Sequence, residues 1–433
     1  MNFVDFPEIT LTIQGMEDVR IPKMMKVRQI YDKNRIEDIE GWIWEELETK
    51  LPENQKLSYK GKRICITVGS RGIPDIDRIV KAVLEWLKVK GANPFIVPAM
   101  GSHGGGTAEG QKEFIAGYGI TEESMGVPIL SSMETVKLGE LEDGTPVYCD
   151  KYAAESDGII VFNKIKPHTD FRGEHESGLA KMCAIGLAKH VGASYFHMMG
   201  FPTFAERIPK VAGMFIEKAP IAFGLGVVQN AYDEISVIEV VPNDQIMERD
   251  AELLKAAKDK IANFKMKEID VLIIDEIGKN ISGNGHDPNI TGRSNSKGFE
   301  DVLDCKKMFV RGITEVSHHN ACGLSAADIT TRRVMNDIDL DVTWTNVVTA
   351  TMLNGAKLPM YVNSDKEAIR VCIRTCNNID FSNARIVRIK NTAEMEDILM
   401  SEAYLEELEG REDIEIIGEP FDMEFDEDGN LVD

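Results

Sequence analysis

Short apolar runs alternate with amphipathic segments along most of the chain. RICITVGS, from residue 63, reads as a buried strand. The segment after it, DIDRIVKAVLEWLKVKG, puts Ile76, Ile79, Val80, Val83, Leu84 and Leu87 on one helical face and stops at glycine. NPFIVPAM predicts a second strand, and GSHGGGTAEGQKEFIAGYG a glycine-rich turn entering another helix. Strand, helix, strand, helix implies a parallel sheet. TVKLGELEDGTPVYCD reads as a hairpin about its Asp-Gly turn, and DGIIVFNKIKPH as a third apolar strand. ESGLAKMCAIGLAKHVGASYFHMM has helical composition apart from its glycines.

IMERDAELLKAAKDKIA predicts a polar amphipathic helix, after which EIDVLIIDEIG restarts with a strand. Alternation then resumes: VTWTNVVTATMLNG as helix, PMYV as strand, DKEAIRVCIRTCNN as helix and ARIVRIKN as strand. A last helix is expected around AEMEDILMSEAYLEELEG, followed by EFDEDGNLVD as a frayed acidic tail. The expected fold is therefore α/β with two domains, each a mainly parallel sheet flanked by helices, and the active site in the cleft between them. Expected bounds are an N-terminal catalytic and cofactor-binding domain over 1–245, a linker helix over 246–265, a C-terminal α/β domain over 266–390, and a returning helix and tail over 391–433. A length of 433 residues suits two domains.

Composition narrows the function. Against 49 basic residues stand 72 acidic ones, a net charge of -23 that repels phosphate backbones and anionic lipid. Nucleic acid and membrane are accordingly not expected as partners. The start, MNFVDFPEITLTIQG, lacks the pattern of a signal peptide, and no apolar stretch reaches about 18 residues, so cytoplasm is the expected compartment. Seven scattered cysteines without a CxxC pair indicate reduced thiols rather than disulfides or a Cys-rich metal site. A homodimer is one assembly compatible with the chain.

Candidate chemistry gathers where strands end. VGSRGIPD, GSHGGGT and KPH each lie at the carboxyl end of a predicted strand, where open parallel sheets bind ligands. These offer Arg71, His103 and His168; an arginine there can clamp a carboxylate with two parallel hydrogen bonds. Thr107 is placed to cap the next helix. No GxGxxG spacing or Walker lysine is present, which argues against a dinucleotide or nucleoside-triphosphate site. Four of the eight histidines, His168, His175, His190 and His197, fall within KPHTDFRGEHESGLAKMCAIGLAKHVGASYFHMMG together with Lys181. Imidazole both binds nickel, copper or zinc and titrates near neutral pH, so a metal site and an acid/base site are both open readings. His286, His318 and His319 are second-half candidates of lower weight.

The order Ser70-Arg71, Gly101-Ser102-His103, Pro167-His168, Lys181 and His197 resembles the nickel-pincer-dependent lactate racemase family. The resemblance covers roughly residues 15 to 210. It implies a nickel-pincer nucleotide, a pyridinium mononucleotide with two sulfur-containing arms holding nickel. By position Lys181 would be its attachment point, His197 the nickel ligand, and Ser70, Gly101 and Ser102 further cofactor-binding residues. His103 and His168 would be the acid/base pair and Arg71 the substrate clamp, in a racemase or epimerase of a small 2-hydroxy acid. Val68 stands where the family has an acidic residue, and DFRGEHE lengthens the gap between His168 and Lys181, bringing Arg172, Glu174, His175 and Glu176 towards the site. In the second half, GKNISGNGHDPNITGR offers Lys279, Asn280 and Arg293 for phosphate or substrate. Arg172 and Lys279 are taken as substrate-binding, and the added charge suggests a sugar acid or dicarboxylate. Two other readings remain: a zinc hydrolase using His168, His175 and Glu174, and a non-catalytic protein that binds nickel or the cofactor.

Overall fold

The computed structural model of the chain describes residues 3–16, 18–70 and 72–432. It divides into two compact units, residues 32–261 and residues 1–31 with 262–433.

In the unit 32–261, the described residues form a five-stranded sheet in the order Asn93–Pro98, Arg63–Val68, Gly158–Lys164, Ile221–Gln229, Ile235–Pro242. The first four strands run parallel and the last antiparallel. From Ile64 to Val68 every residue of the second strand is buried, because helices cover both faces and leave no solvent side for a polar alternation. Helix Ile76–Val89 buries the six predicted residues together with Ala82 and Trp86. Thr135–Glu140 and Pro146–Asp150 form the predicted hairpin.

Two expectations for this unit are corrected. The helical stretch after His168 is not one helix: a single turn Leu179–Lys181 runs into a π-type turn, Met182–Gly186, and a second helix, Lys189–Met199, follows. Gly186 marks the reason. A Cβ there would lie 2.9 Å from the carbonyl oxygen of Ala99 and 2.4 Å from Met182 Sδ, so the backbone packs directly on a strand end and the regular helix gives way. Nor is the helix after residue 245 a linker. Ile246–Lys260 buries Ile246, Leu253, Leu254 and Ala257 in the same core as Leu179 and Phe215.

In the other unit, eight strands among the described residues form one mixed sheet, ordered Met360–Val362, Ile329–Thr331, Asp304–Val310, Glu268–Ile274, Ile386–Ile389, Asp397–Ser401, Met24–Gln29, Ile414–Phe421. The first five are parallel and the rest antiparallel. Here the expected last helix is corrected to the strand Asp397–Ser401 and a short turn of helix, Leu405–Leu408. Its helix-forming residues are overridden by pairing on both sides, with Ile398 and Met400 buried. The acidic end is also not frayed. Phe425 bridges Leu431, Leu431 is buried, and its N–H donates to Asp365 Oδ2 at 3.1 Å. Among the described residues no helix is long and apolar enough to cross a membrane.

Candidate functional site

Three neighbouring strands of the unit 32–261 end side by side, and their carboxyl ends carry the three predicted segments. Arg63–Val68 leads into Gly69 and Ser70, Asn93–Pro98 into Ala99 to His103, and Gly158–Lys164 into the loop of His168. The chain runs from the middle strand outwards to one side and then returns to its other side, so these ends flank a topological switch point. One cavity lies there. Its lining includes Ser70, Gly101, Ser102, His103, His168, Lys181 and His197, together with Asn163, Asp170, Phe201 and Phe204. All its lining residues belong to this unit.

Each loop is fixed by its own chemistry. Gly101, Gly104, Gly105 and Gly106 adopt φ between 60° and 66°, the left-handed region that a side chain would disfavour, and so the loop can double back around His103. Thr107 Oγ1 accepts the N–H of Gly110 at 3.1 Å and caps helix Ala108–Ala116, as its position predicts. The His168 loop is closed by a bridge between Lys166 and Ser177. Within it the buried Glu176 carboxylate accepts the N–H groups of His168 (2.7 Å) and Gly173 (3.2 Å) and pairs with Lys258 Nζ (2.6 Å).

His168 is buried and its ring lies 4.5 Å from that of Phe171, tilted by 33°. Its Nδ1 accepts the backbone N–H of Asp170 at 3.0 Å, so in the neutral ring the proton sits on Nε2. Asp170 Oδ2 stands 3.7 Å from the same Nδ1. His103 is exposed. His197, flanked edge-on by Phe201 at 5.6 Å, is held below the ordinary imidazole value by burial and by the Lys181 ammonium, against a smaller opposing pull from Asp170. A neutral imidazole with a free electron pair, and an amine facing the same cavity, fit the donor set that a tethered nickel group requires.

Other predicted residues lie elsewhere. Arg71 falls outside the described residues. Arg172 does not line the cavity, and Lys279 belongs to the other unit, where its ammonium donates to the carbonyl of Gly283 at 2.5 Å. His190 is exposed, 3.5 Å from Ser194 Oγ, and does not line the cavity although it shares a helix with His197. The zinc arrangement of His168, His175 and Glu174 does not form. His175 Nδ1 is engaged by the buried Asp250 carboxylate at 2.9 Å, Glu174 is exposed, and no three His, Cys, Asp or Glu among the described residues gather to hold a metal.

Sequence reasoning missed Asp250 and Asp170. Asp250 Oδ1 accepts the Leu179 N–H at 2.5 Å and so anchors the turn that presents Lys181. It lies 71 residues from Leu179 on a helix that looked like a linker, and no local pattern pointed to it. Asp170 sits two residues after His168, a spacing that suits a carboxylate beside an imidazole and was open to reading from the sequence.

Residues 14–206 match the family model described as the lactate racemase N-terminal domain. No curated protein sequence matches the chain. Among solved structures, the lactate racemase apoprotein from Thermoanaerobacterium thermosaccharolyticum is similar with a TM-score of 0.54 at 17% identity, over 86% of this chain and 99% of that one. At that identity the likeness speaks for the fold. Residues 14–206 are thus similar to the N-terminal domain of lactate racemase, and the chain shares the fold of that solved apoprotein.

Proposed function

We propose that the protein is a racemase or epimerase of a small 2-hydroxy acid, with a nickel-pincer nucleotide held in the cavity of residues 32–261. The observation that carries this reading is the meeting of His103, His168, Lys181 and His197 around one cavity although they span 95 positions of sequence (197 − 103 + 1). Lys181 would tether the group and His197 would ligate its nickel, with Ser70, Gly101 and Ser102 beside it. When bound, that group supplies the acceptor and donor of the substrate's α-hydride.

The protein's own task is then proton traffic and orientation. Mirror-image substrates present the hydroxyl from opposite sides, so two groups that titrate near neutral pH are needed. His103 and His168, on separate strand ends, meet that need. In its neutral form His168 offers a proton at Nε2, its Nδ1 being held by the Asp170 N–H. Arg71 is assigned to the substrate carboxylate from its place in the sequence, next to Ser70.

With loaded enzyme, exchange of the substrate α-hydrogen for deuterium tests the reading directly across a panel of 2-hydroxy acids. His103→Ala and His168→Ala are each expected to lower turnover of both enantiomers by about 10²–10⁴-fold with nickel content kept, and His197→Ala to lose nickel. Intact mass should show an adduct that Lys181→Ala abolishes. Metal lost in the first two variants and kept in the third would reverse these roles, and an adduct without any exchange would leave only a carrier.

A further inference from the structure

Behind the cavity lies a lysine in an unusual setting. Lys189 is fully buried, and its φ of 53° is left-handed, a region that a non-glycine residue enters at a cost. A glycine would suit that backbone better, so the retained side chain calls for a role. Its ammonium donates to the Pro98 carbonyl at 2.8 Å and to Gln111 Oε1 at 2.9 Å, and it makes an ion pair with Asp150 Oδ2 at 3.3 Å. Lysine offers no acceptor, so the contact with Gln111 fixes which end of that carboxamide is oxygen. The Gln111 NH2, also fully buried, then donates to the carbonyls of Gly101 (2.9 Å) and His103 (3.2 Å). Neither Lys189 nor Gln111 lines the cavity.

We infer that Lys189, acting through Gln111, is the positioning residue for His103. The strand end at Pro98, the ammonium, the carboxamide and the Gly101–His103 turn form one continuous hydrogen-bonded series. That turn contains or adjoins four left-handed glycines. His103 is exposed, and its carbonyl is one of the two that the Gln111 carboxamide holds. Asp150 supplies the counter-charge; its Oδ1 accepts the Ala153 N–H at 3.0 Å, which leaves Oδ2 for the lysine. This inference rests on the reading of His103 as an acid/base group, yet its first test does not need turnover.

Gln111→Met and Lys189→Met remove the series at two points, with His103, His168 and His197 followed by imidazole NMR titration in the full-length protein without cofactor. The expected result is a change at His103 alone, a displaced resonance and a titration midpoint moved by about 0.5 pH unit or more. In loaded enzyme both variants should lower kcat about tenfold or more, with KM held within about twofold. Should Lys189→Met fail to fold for want of a partner to Asp150, the Lys189→Met/Asp150→Asn pair removes that orphaned carboxylate. His103 unmoved in folded variants, or all three histidines moved together, overturns the assignment. A wild-type enzyme that turns over no hydroxy acid sinks the proposed reaction instead, and leaves the NMR result to decide this one.

Discussion

At the scale of single residues, two kinds of histidine share one stretch of sequence. His197 and His168 face the cavity, whereas His175 is locked to Asp250 and His190 faces solvent. Because burial and Lys181 lower the His197 pKa, its neutral form persists to lower pH than an ordinary imidazole keeps it. In protein without cofactor the His197 imidazole is therefore expected to titrate below 6.5 by NMR, and a midpoint at or above that value contradicts this reading. Asp250→Ala would leave the His175 ring and the Leu179 N–H without their acceptor, at a cost of about 2–4 kcal/mol, measurable by urea unfolding. Asp250→Asn keeps one acceptor oxygen and should cost less. The sequence exposed the histidines but not this difference, since partners such as Asp250 lie 75 positions away from His175.

At the scale of elements, the site depends on loops and turns that regular structure alone would not give. The π-type turn Met182–Gly186 lets the chain approach the strand end at Ala99, and the Gly101 N–H donates to the Gly186 carbonyl at 3.1 Å. Gly186→Ala should destabilise the protein by about 1–3 kcal/mol through overpacking. Met182→Ala should restore only part, because the Ala99 carbonyl is backbone and cannot step aside. Equal stability of Gly186→Ala and wild type in thermal unfolding would refute that packing argument. Periodicity predicted the helix Ile76–Val89 well, because a face buried against a sheet leaves a mark on every third or fourth residue, whereas strands such as Ile221–Gln229 and Ile235–Pro242 were not singled out. It failed at Asp397–Ser401, where Met, Leu and Glu favour a helix locally but two flanking strands supply the hydrogen bonds.

At the scale of the whole molecule, residues 32–261 form a continuous compact unit that contains the entire described cavity. Expressed alone, this fragment is expected to unfold in one cooperative transition and to keep its His168 and His197 resonances; a fragment without such a transition would refute its autonomy. The other unit carries a pH liability. His286 is fully buried and its pKa is lowered to about 4, chiefly by burial. Below 6.5 the unfolded chain takes up a proton that the native ring refuses, so stability falls as pH drops from 6.5 and the loss is complete near 4. It amounts to at most about 3 kcal/mol, and urea unfolding at several pH values should show His286→Gln free of that part of the slope. Sequence by itself determined the alternating α/β plan, the three strand-end segments and the identity of seven cavity residues, because burial periodicity and ligand chemistry are written locally. Only the tertiary structure decided that the strand Met24–Gln29 joins the sheet of residues 262–433, that Asp250 anchors the Lys181 turn, and that Lys189 stands behind His103. Those pairings join distant positions whose local propensities are silent about one another, and they exist only once the backbone has closed around them.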